Sequence, residues 1–290
     1  MINGETMTLR TLLQSGRERL FAAPCPDENY ANEAFYLFHK LFGVSREQLV
    51  FRGEETVSPE EAARYYALLD QRAAGEPLQY LLGEWEFYGL PMEVGSGVLI
   101  PRPETEELVE RVLSYLKPVE APIVLDLCSG SGCIPIAIGH CRPTAQVYGV
   151  ELSEDAYSYF TRNVARNQIK NVTPVKSDVF ALPQLITLRH YHAITANPPY
   201  IATAELDSLQ AEVHHEPAMA LNGGEDGLLF YRSLPTIAMG LLLPGGLLAL
   251  EIGEKQGEQV SVLLTKAGFE AVTICKDLSG NDRIVTGIAP

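Results

Sequence analysis

Residues 123–132 read Ile123-Val124-Leu125-Asp126-Leu127-Cys128-Ser129-Gly130-Ser131-Gly132. A short apolar run ends in a glycine turn, and a helix is expected to begin near Cys133. Strand, tight turn and helix in that order open a parallel sheet wound on both faces. Outward from this stretch, the chain from Pro103 reads as a helix followed by strands and helices in alternation. Strands are expected near 122–127, 146–151, 172–176, 192–196, 246–252, 270–276 and 283–288. Only Asp277-Leu278-Ser279-Gly280-Asn281-Asp282 separates the last two. No crossover helix fits there, so the final strand is expected to run antiparallel to its neighbour.

The glycine turn is a ligand-binding candidate, because Gly130 and Gly132 allow backbone to approach a small molecule closely. Glu151 ends the next strand, where a carboxylate can grip ribose hydroxyls. Such a turn also serves NAD, but two features disfavour a pyrophosphate here. Pro135 replaces the third glycine of Gly-x-Gly-x-x-Gly, and Asp126 and Glu151 surround the turn with negative charge without a nearby Lys or Arg. A cation bearing a ribose fits better, and S-adenosylmethionine (AdoMet) is one. Asp178, after the third strand, can accept adenine amino hydrogens while Val179 or Phe180 covers the ring. Asp178 read alone is equally a solvated strand-end residue.

Asn197-Pro198-Pro199-Tyr200 follows the apolar strand His192-Ala193-Ile194-Thr195-Ala196. Two prolines cannot continue a ladder, since neither has a backbone N–H. The Asn197 amide oxygen and the Pro198 carbonyl are thereby available to accept the two hydrogens of a planar –NH2 group, with Tyr200 stacked on its plane. The same four residues also make an ordinary strand-end turn.

The 290 residues suit two domains. Residues 1–84 read as helices: Ser58-Pro59-Glu60-Glu61 and Ser45-Arg46-Glu47-Gln48 are N-terminal capping sequences, and Ala34, Phe35, Leu37, Phe38, Leu41 and Phe42 form an apolar stripe. Residues 85–100 read as a β-hairpin linker with glycine-rich turns. Lys and Arg number 22 against 37 Asp and Glu, a net charge of −15 that disfavours binding a nucleic-acid backbone by bulk charge. Met1 to Thr6 lacks the basic and apolar regions of a signal peptide, and Pro244-Gly245-Gly246 interrupts the most apolar stretch, so no membrane segment is expected. Cysteines 25, 128, 133, 141 and 275 are odd in number and follow no disulfide rhythm, which points to free thiols and a cytoplasmic address. His214-His215-Glu216 lacks metal-ligand spacing, so no metal is expected. Arg102 reads equally as a solvated residue or a substrate contact.

Asp126-x-x-x-Gly130-x-Gly132, Glu151, Asp178 and Asn197-Pro198-Pro199-Tyr200, in this order, resemble a class I AdoMet-dependent methyltransferase. More narrowly, the chain resembles the HemK/PrmC family of release-factor N5-glutamine methyltransferases. The resemblance extends over nearly the whole chain, through Leu82-Gly83-Glu84-Trp85-Glu86-Phe87-Tyr88-Gly89, Ile100-Pro101-Arg102-Pro103-Glu104-Thr105-Glu106, Gly223-Gly224-Glu225-Asp226-Gly227-Leu228, Glu251-Ile252-Gly253-Glu254 and Lys276 to Arg283. It implies a seven-stranded Rossmann-like α/β sheet with an antiparallel last strand, preceded by a helical substrate-recognition domain (1–84) and a hairpin (85–102). It also implies methylation, by AdoMet, of the glutamine of the Gly-Gly-Gln motif in peptide chain release factors, without nucleic acid or membrane as partner. Asp126, Leu127, Cys128, Ser129, Gly130, Gly132, Glu151, Asp178, Val179 and Asn197 are then expected to hold the cofactor. Asn197, Pro198, Pro199 and Tyr200 are expected to hold the glutamine, with Asn197, Pro198 and Tyr200 catalytic. Departures are Cys128-Ser129-Gly130-Ser131 where glycine and threonine are commoner, Glu151 in place of Asp, and no arginine after Pro217. Adenine-N6 methylation of nucleic acid shares the tetrapeptide, and a non-catalytic AdoMet-binding adaptor is a third reading.

Overall fold

The computed structural model describes residues 7–23, 29–187 and 190–290; Met1 to Thr6 and Cys25 lie outside the described residues. The chain divides into two compact units, one of residues up to Gly83 together with Ala211–His215, the other of Glu84–Gln210 and Glu216–Pro290.

The first unit holds α1 (Leu9–Phe21), α2 (Tyr30–Phe42), α3 (Gln48–Arg52), α4 (Pro59–Ala73) and α5 (Leu78–Leu82). The start of α4 follows from its sequence. Ser58 accepts from the Glu61 N–H while Glu61 returns a bond to the Ser58 N–H, and Pro59 occupies a first-turn position that needs no donor. Ser45 and Gln48 exchange the same pair of bonds ahead of α3. The helical stripes meet in a core containing Leu12, Leu37, Phe38, Tyr65 and Leu69, all fully buried. Arg72, itself buried, grips Glu33 through two hydrogen bonds and also binds Glu212, from the short segment that joins this unit late in the chain.

The second unit opens on the hairpin β1 (Glu84–Phe87) and β2 (Leu90–Glu93), closed by Tyr88 and Gly89, both at positive φ. Pairing stops at Glu93, short of the expected residue 100. The hairpin belongs to the core of this unit: Phe87 and Met92 are buried in it, and Asn163 bonds both the N–H and the carbonyl of Glu93. Then follow α6 (Glu104–Tyr115), β3 (Ile123–Leu127), α7 (Cys133–Cys141), β4 (Gln146–Glu151), α8 (Glu154–Arg166), β5 (Val172–Lys176), α9 (Gln184–Thr187), β6 (Tyr191–Ala196), α10 (Ala218–Leu221), α11 (Leu234–Met239), β7 (Leu242–Glu251), α12 (Gly257–Lys266), β8 (Glu270–Lys276) and β9 (Asp282–Ile288).

The seven-stranded sheet has the order β5-β4-β3-β6-β7-β9-β8, and β9 runs antiparallel to both neighbours, as expected from the short connection before it. Alternate residues of its central strands face opposite cores. Val124, Ala193, Leu247 and Ala249 lie in one, and Leu125, Ile194, Leu248 and Leu250 in the other. Burial on both sides explains why these strands read as continuous apolar runs. One strand departs from expectation. β7 begins at Leu242 rather than 246, because its pairing with β6 jumps from Tyr191↔Leu242 to Ala193↔Leu247. The intervening Pro244-Gly245-Gly246 is absorbed as a bulge, with Gly245 at φ +75.

Candidate active site

From β3 the chain runs outward to β4 and β5 on one side, then returns to β6 on the other. The order reverses between β3 and β6, and open α/β sheets bind ligands outside the carboxyl ends of their strands at such a point. The register Leu127↔Ala196 is parallel, so Cys128 and Asn197 leave the sheet side by side.

The turn after β3 is held open from beneath. Ser129 N–H donates to the Val150 carbonyl, and Gly130 N–H donates to Glu151 Oε2 at 2.7 Å. The other Glu151 oxygen accepts from Ser153 N–H at 2.7 Å. Burial raises the Glu151 pKa, while those backbone donors oppose the shift. Cys128, Gly130 and Gly132 all have positive φ, at 61°, 55° and 82°. The two glycines serve different ends. A Cβ on Gly130 would meet nothing within 4 Å, whereas one on Gly132 would stand 2.0 Å from the Phe160 ring. Room at Gly130 is therefore open to a ligand, and room at Gly132 is filled by Phe160.

Asp126 is fully buried under the turn; Thr195 donates to its Oδ1 at 2.6 Å, and its Oδ2 has no partner among the described residues. Burial pushes its pKa to about 7. Burial, then the charges of Glu151, Asp126 and Asp178, raise the Cys128 thiol well above its usual range. Asp178 accepts from Phe180 N–H at 2.9 Å. Val179 is buried, while Phe180 is exposed and stacks on Phe230 at 5.5 Å. A ribose-bearing cation suits this donor set: an open glycine backbone, a carboxylate at the end of β4 and negative charge. The expectation of no nearby Lys or Arg does not hold, because Lys176 of β5 is the register partner of Glu151 and its charge opposes the rise in the Glu151 pKa.

Beside the turn, Pro198 and Pro199 are buried while Asn197 and Tyr200 are partly exposed. Asn197 Nδ2 donates to Thr105 Oγ1 at 3.3 Å, so its amide oxygen points the other way. Burial first, then the Glu251 charge, raises the Tyr200 pKa. Segments later in the chain enclose the tetrapeptide. A Cβ on Gly223 would collide with Pro199 O and Tyr200 Cα, both at 2.8 Å, and one on Gly227 would collide with Tyr200 O at 2.4 Å. Gln256 donates to Tyr200 O at 2.9 Å. Arg102 pairs with the buried carboxylate of Glu216, whose other oxygen accepts from Ile100 N–H at 3.0 Å.

Glu251 and Thr105 were not among the residues expected at the site. Both are buried, and burial pushes Glu251 to about 7 despite the opposing influence of Thr105 and Arg283. The signal was in the sequence, as a carboxylate ending an apolar strand, one place beyond the residue paired with Ala196. Among the described residues, no His, Cys, Asp and Glu cluster suits a metal, and no helix is long and apolar enough to cross a membrane. The described cysteines, Cys128, Cys133, Cys141 and Cys275, are free.

Comparison with known proteins agrees with this architecture. The family described as PrmC N-terminal domain matches residues 11–83, and the Methyltransferase small domain matches residues 107–236. A release factor glutamine methyltransferase of Thermodesulfovibrio yellowstonii is 43% identical over 256 residues, covering 87% of this chain and 90% of that protein. One from Moorella thermoacetica is 41% identical over 279 residues, 96% of this chain and 97% of that protein. A methyltransferase from Pyrococcus furiosus shares the fold with a TM-score of 0.51 at 22% identity, over 70% of this chain and 90% of that structure.

Proposed function

The chain belongs to the release factor glutamine methyltransferase family, and from that premise we propose the reaction of its site. It transfers a methyl group from AdoMet to the side-chain amide nitrogen (N5) of the glutamine in the Gly-Gly-Gln motif of peptide chain release factors, and S-adenosylhomocysteine is the second product. The parallel register that sets Asn197 beside the turn after β3 carries this reading, because it puts a methyl donor and an amide acceptor at adjacent strand ends.

The turn Asp126-Leu127-Cys128-Ser129-Gly130-Ser131-Gly132, with Glu151, Asp178 and Val179, holds the cofactor. Gly130 gives it access to backbone, and Asp126 acts from beneath. AdoMet supplies a methyl group on a sulfonium, a strong electrophile. A glutamine amide is a poor nucleophile, since its lone pair is delocalised into the carbonyl. Asn197 Oδ1 and the Pro198 carbonyl accept its two N–H groups and aim the nitrogen, while Tyr200 stacks on the amide plane and Pro199 keeps the turn rigid. Alignment of this kind recovers roughly 7–11 kcal/mol of a bimolecular barrier. The N–CH3 bond forms as the S–CH3 bond breaks, and the amide proton leaves to water, so no general base is assigned.

The helical unit, residues 1–84, is assigned to recognition of the release factor, and the hairpin region 85–102 leads into the methyltransferase domain, 103–290. The cytoplasm is the assigned compartment, because that is where release factors act. Incubation with methyl-labelled AdoMet and either release factor or DNA tests the reading. Label is expected on the Gly-Gly-Gln glutamine. Label on adenine instead, or on neither, overturns it.

A further inference from the structure

The turn between β8 and β9 carries Leu278, at 99% the most exposed large apolar side chain among the described residues. A surface leucine is ordinary by itself, but this turn is built to keep it out. Asp277 is buried, and its Oδ1 accepts from Ser279 N–H at 3.0 Å and from Asn281 N–H at 2.9 Å. Its Oδ2 accepts from Arg283 Nη2 at 3.2 Å. Asp277 N–H donates to the Asn281 carbonyl at 2.8 Å, and Gly280 N–H to the Asp277 carbonyl at 2.9 Å. The remaining donor, Leu278 N–H, bonds Glu107 Oε1 of α6 at 2.9 Å. Every backbone N–H from 277 to 281 is thus held by the protein, while the Leu278 side chain is left in solvent. Asp277, Ser279, Gly280 and Asn281 are residue types that turns favour for their own geometry. Leucine is not.

The turn stands at the edge of the sheet that carries the site. β9 runs antiparallel to both β7 and β8, so β8 points the same way as β6 and β7. Its carboxyl end therefore shares the edge where Asn197 leaves β6. The sheet order separates β6 from β8 by three strand spacings, about 14 Å. The first turn of α6 links the two places: Thr105 Oγ1 accepts from Asn197 Nδ2 at 3.3 Å, and Glu107 takes the Leu278 N–H. Met219, 59% exposed, adds a second apolar side chain near the tetrapeptide. It lies in α10 between Glu216, whose carboxylate holds Ile100 N–H, and Leu221, whose carbonyl accepts from Ile201 N–H beside Tyr200.

A protein partner of standard size covers about 800 Å² on each side, a disc of roughly 16 Å radius. Centred on Asn197, such a footprint reaches Leu278. We infer that Leu278, with Met219, forms an apolar rim on which the protein substrate docks, the leucine seating in an apolar recess beside the Gly-Gly-Gln loop. This rests on the release-factor reading above. The substrate is the occupant because its glutamine must reach Asn197 at the edge that carries the rim. An apolar anchor also suits a chain of net charge −15, since it grips without an opposite charge on the partner.

Leu278→Ala alters a side chain that the fold does not bury, so the thermal midpoint and AdoMet affinity should be unchanged. Binding of release factor, titrated into enzyme loaded with S-adenosylhomocysteine, should weaken about 10–100-fold, the loss of one buried leucine anchor. KM for release factor should rise with kcat little changed. Leu278→Met should retain most of the affinity, and Met219→Ala should weaken binding in the same direction. Unchanged release-factor affinity in Leu278→Ala, with methylation intact, overturns the docking role alone. A wild type that sediments as a dimer and a Leu278→Ala variant that sediments as a monomer give the leucine to a second copy of this chain, which also overturns it. A wild type that neither binds nor methylates release factor overturns the proposed reaction, and this docking with it.

Discussion

In the proposed reaction Asn197 Oδ1 is the acceptor aimed at the reacting amide. Asn197→Ala should therefore slow methyl transfer by about 10²–10³, the usual loss for one positioned polar group. AdoMet binding should suffer far less, and single-turnover assays at saturating substrates separate the two. Asn197→Asp keeps the shape but cannot donate to Thr105, so a loss comparable to Ala is expected. Glu151 behaves differently. Both its oxygens already hold backbone N–H groups, those of Gly130 in the proposed cofactor turn and of Ser153. Glu151→Ala should weaken AdoMet binding by about 1–3 kcal/mol, measured by calorimetry, since a charged acceptor is lost and the turn loosens. Unchanged affinity would place the ribose site elsewhere.

At the level of the element, the turn between β3 and α7 shows why two glycines two residues apart are not equivalent. Gly130→Ala meets no atom within 4 Å, although its φ of +55 is strained for a side chain. It should unfold only slightly earlier, costing about 1–2 kcal/mol, while the added methyl intrudes on the cofactor space and weakens AdoMet binding more than stability. Gly132→Ala would drive a methyl to 2.0 Å from Phe160, a ring of α8 fully buried in the core. Its main effect should be a large fall in thermal midpoint. If calorimetry and thermal melts rank the two variants the other way, the division of labour within the turn is wrong.

For the whole molecule, the two buried carboxyls impose a pH dependence of stability. Asp126 rises from 3.8 to about 7 and Glu251 from 4.5 to about 7, both through burial. The folded chain therefore binds protons in a range where the unfolded chain has released them. The stability this lends is complete below the ordinary carboxylate range and is lost as pH rises to about 7. Exposed carboxylates with lowered values, such as Asp226 and Glu61, act in the opposite sense and at lower pH. Wild-type thermal midpoints should fall between pH 5 and about 7.5, and Asp126→Asn should flatten that slope. An identical slope in the variant would show that Asp126 ionises freely in the folded state.

Much of this protein was legible in its sequence. Strand positions followed from apolar runs buried on both faces, the antiparallel β9 from a connection too short for a helix, and helix starts from capping residues, because each depends on neighbours along the chain. The glycine turn, Glu151, Asp178 and the Asn197 tetrapeptide were legible for the same reason, as residues that end strands. Tertiary structure alone decided the rest. It placed the hairpin in the core of the methyltransferase unit, joined residues 211–215 to the helical unit through Arg72 and Glu76, and packed Phe160 against Gly132. It also brought Thr105 to Asn197, 92 positions away in the chain. Local pattern reports which residues end a strand. Which strand ends become neighbours is set by sheet order and register, and these depend on packing between segments distant in the chain.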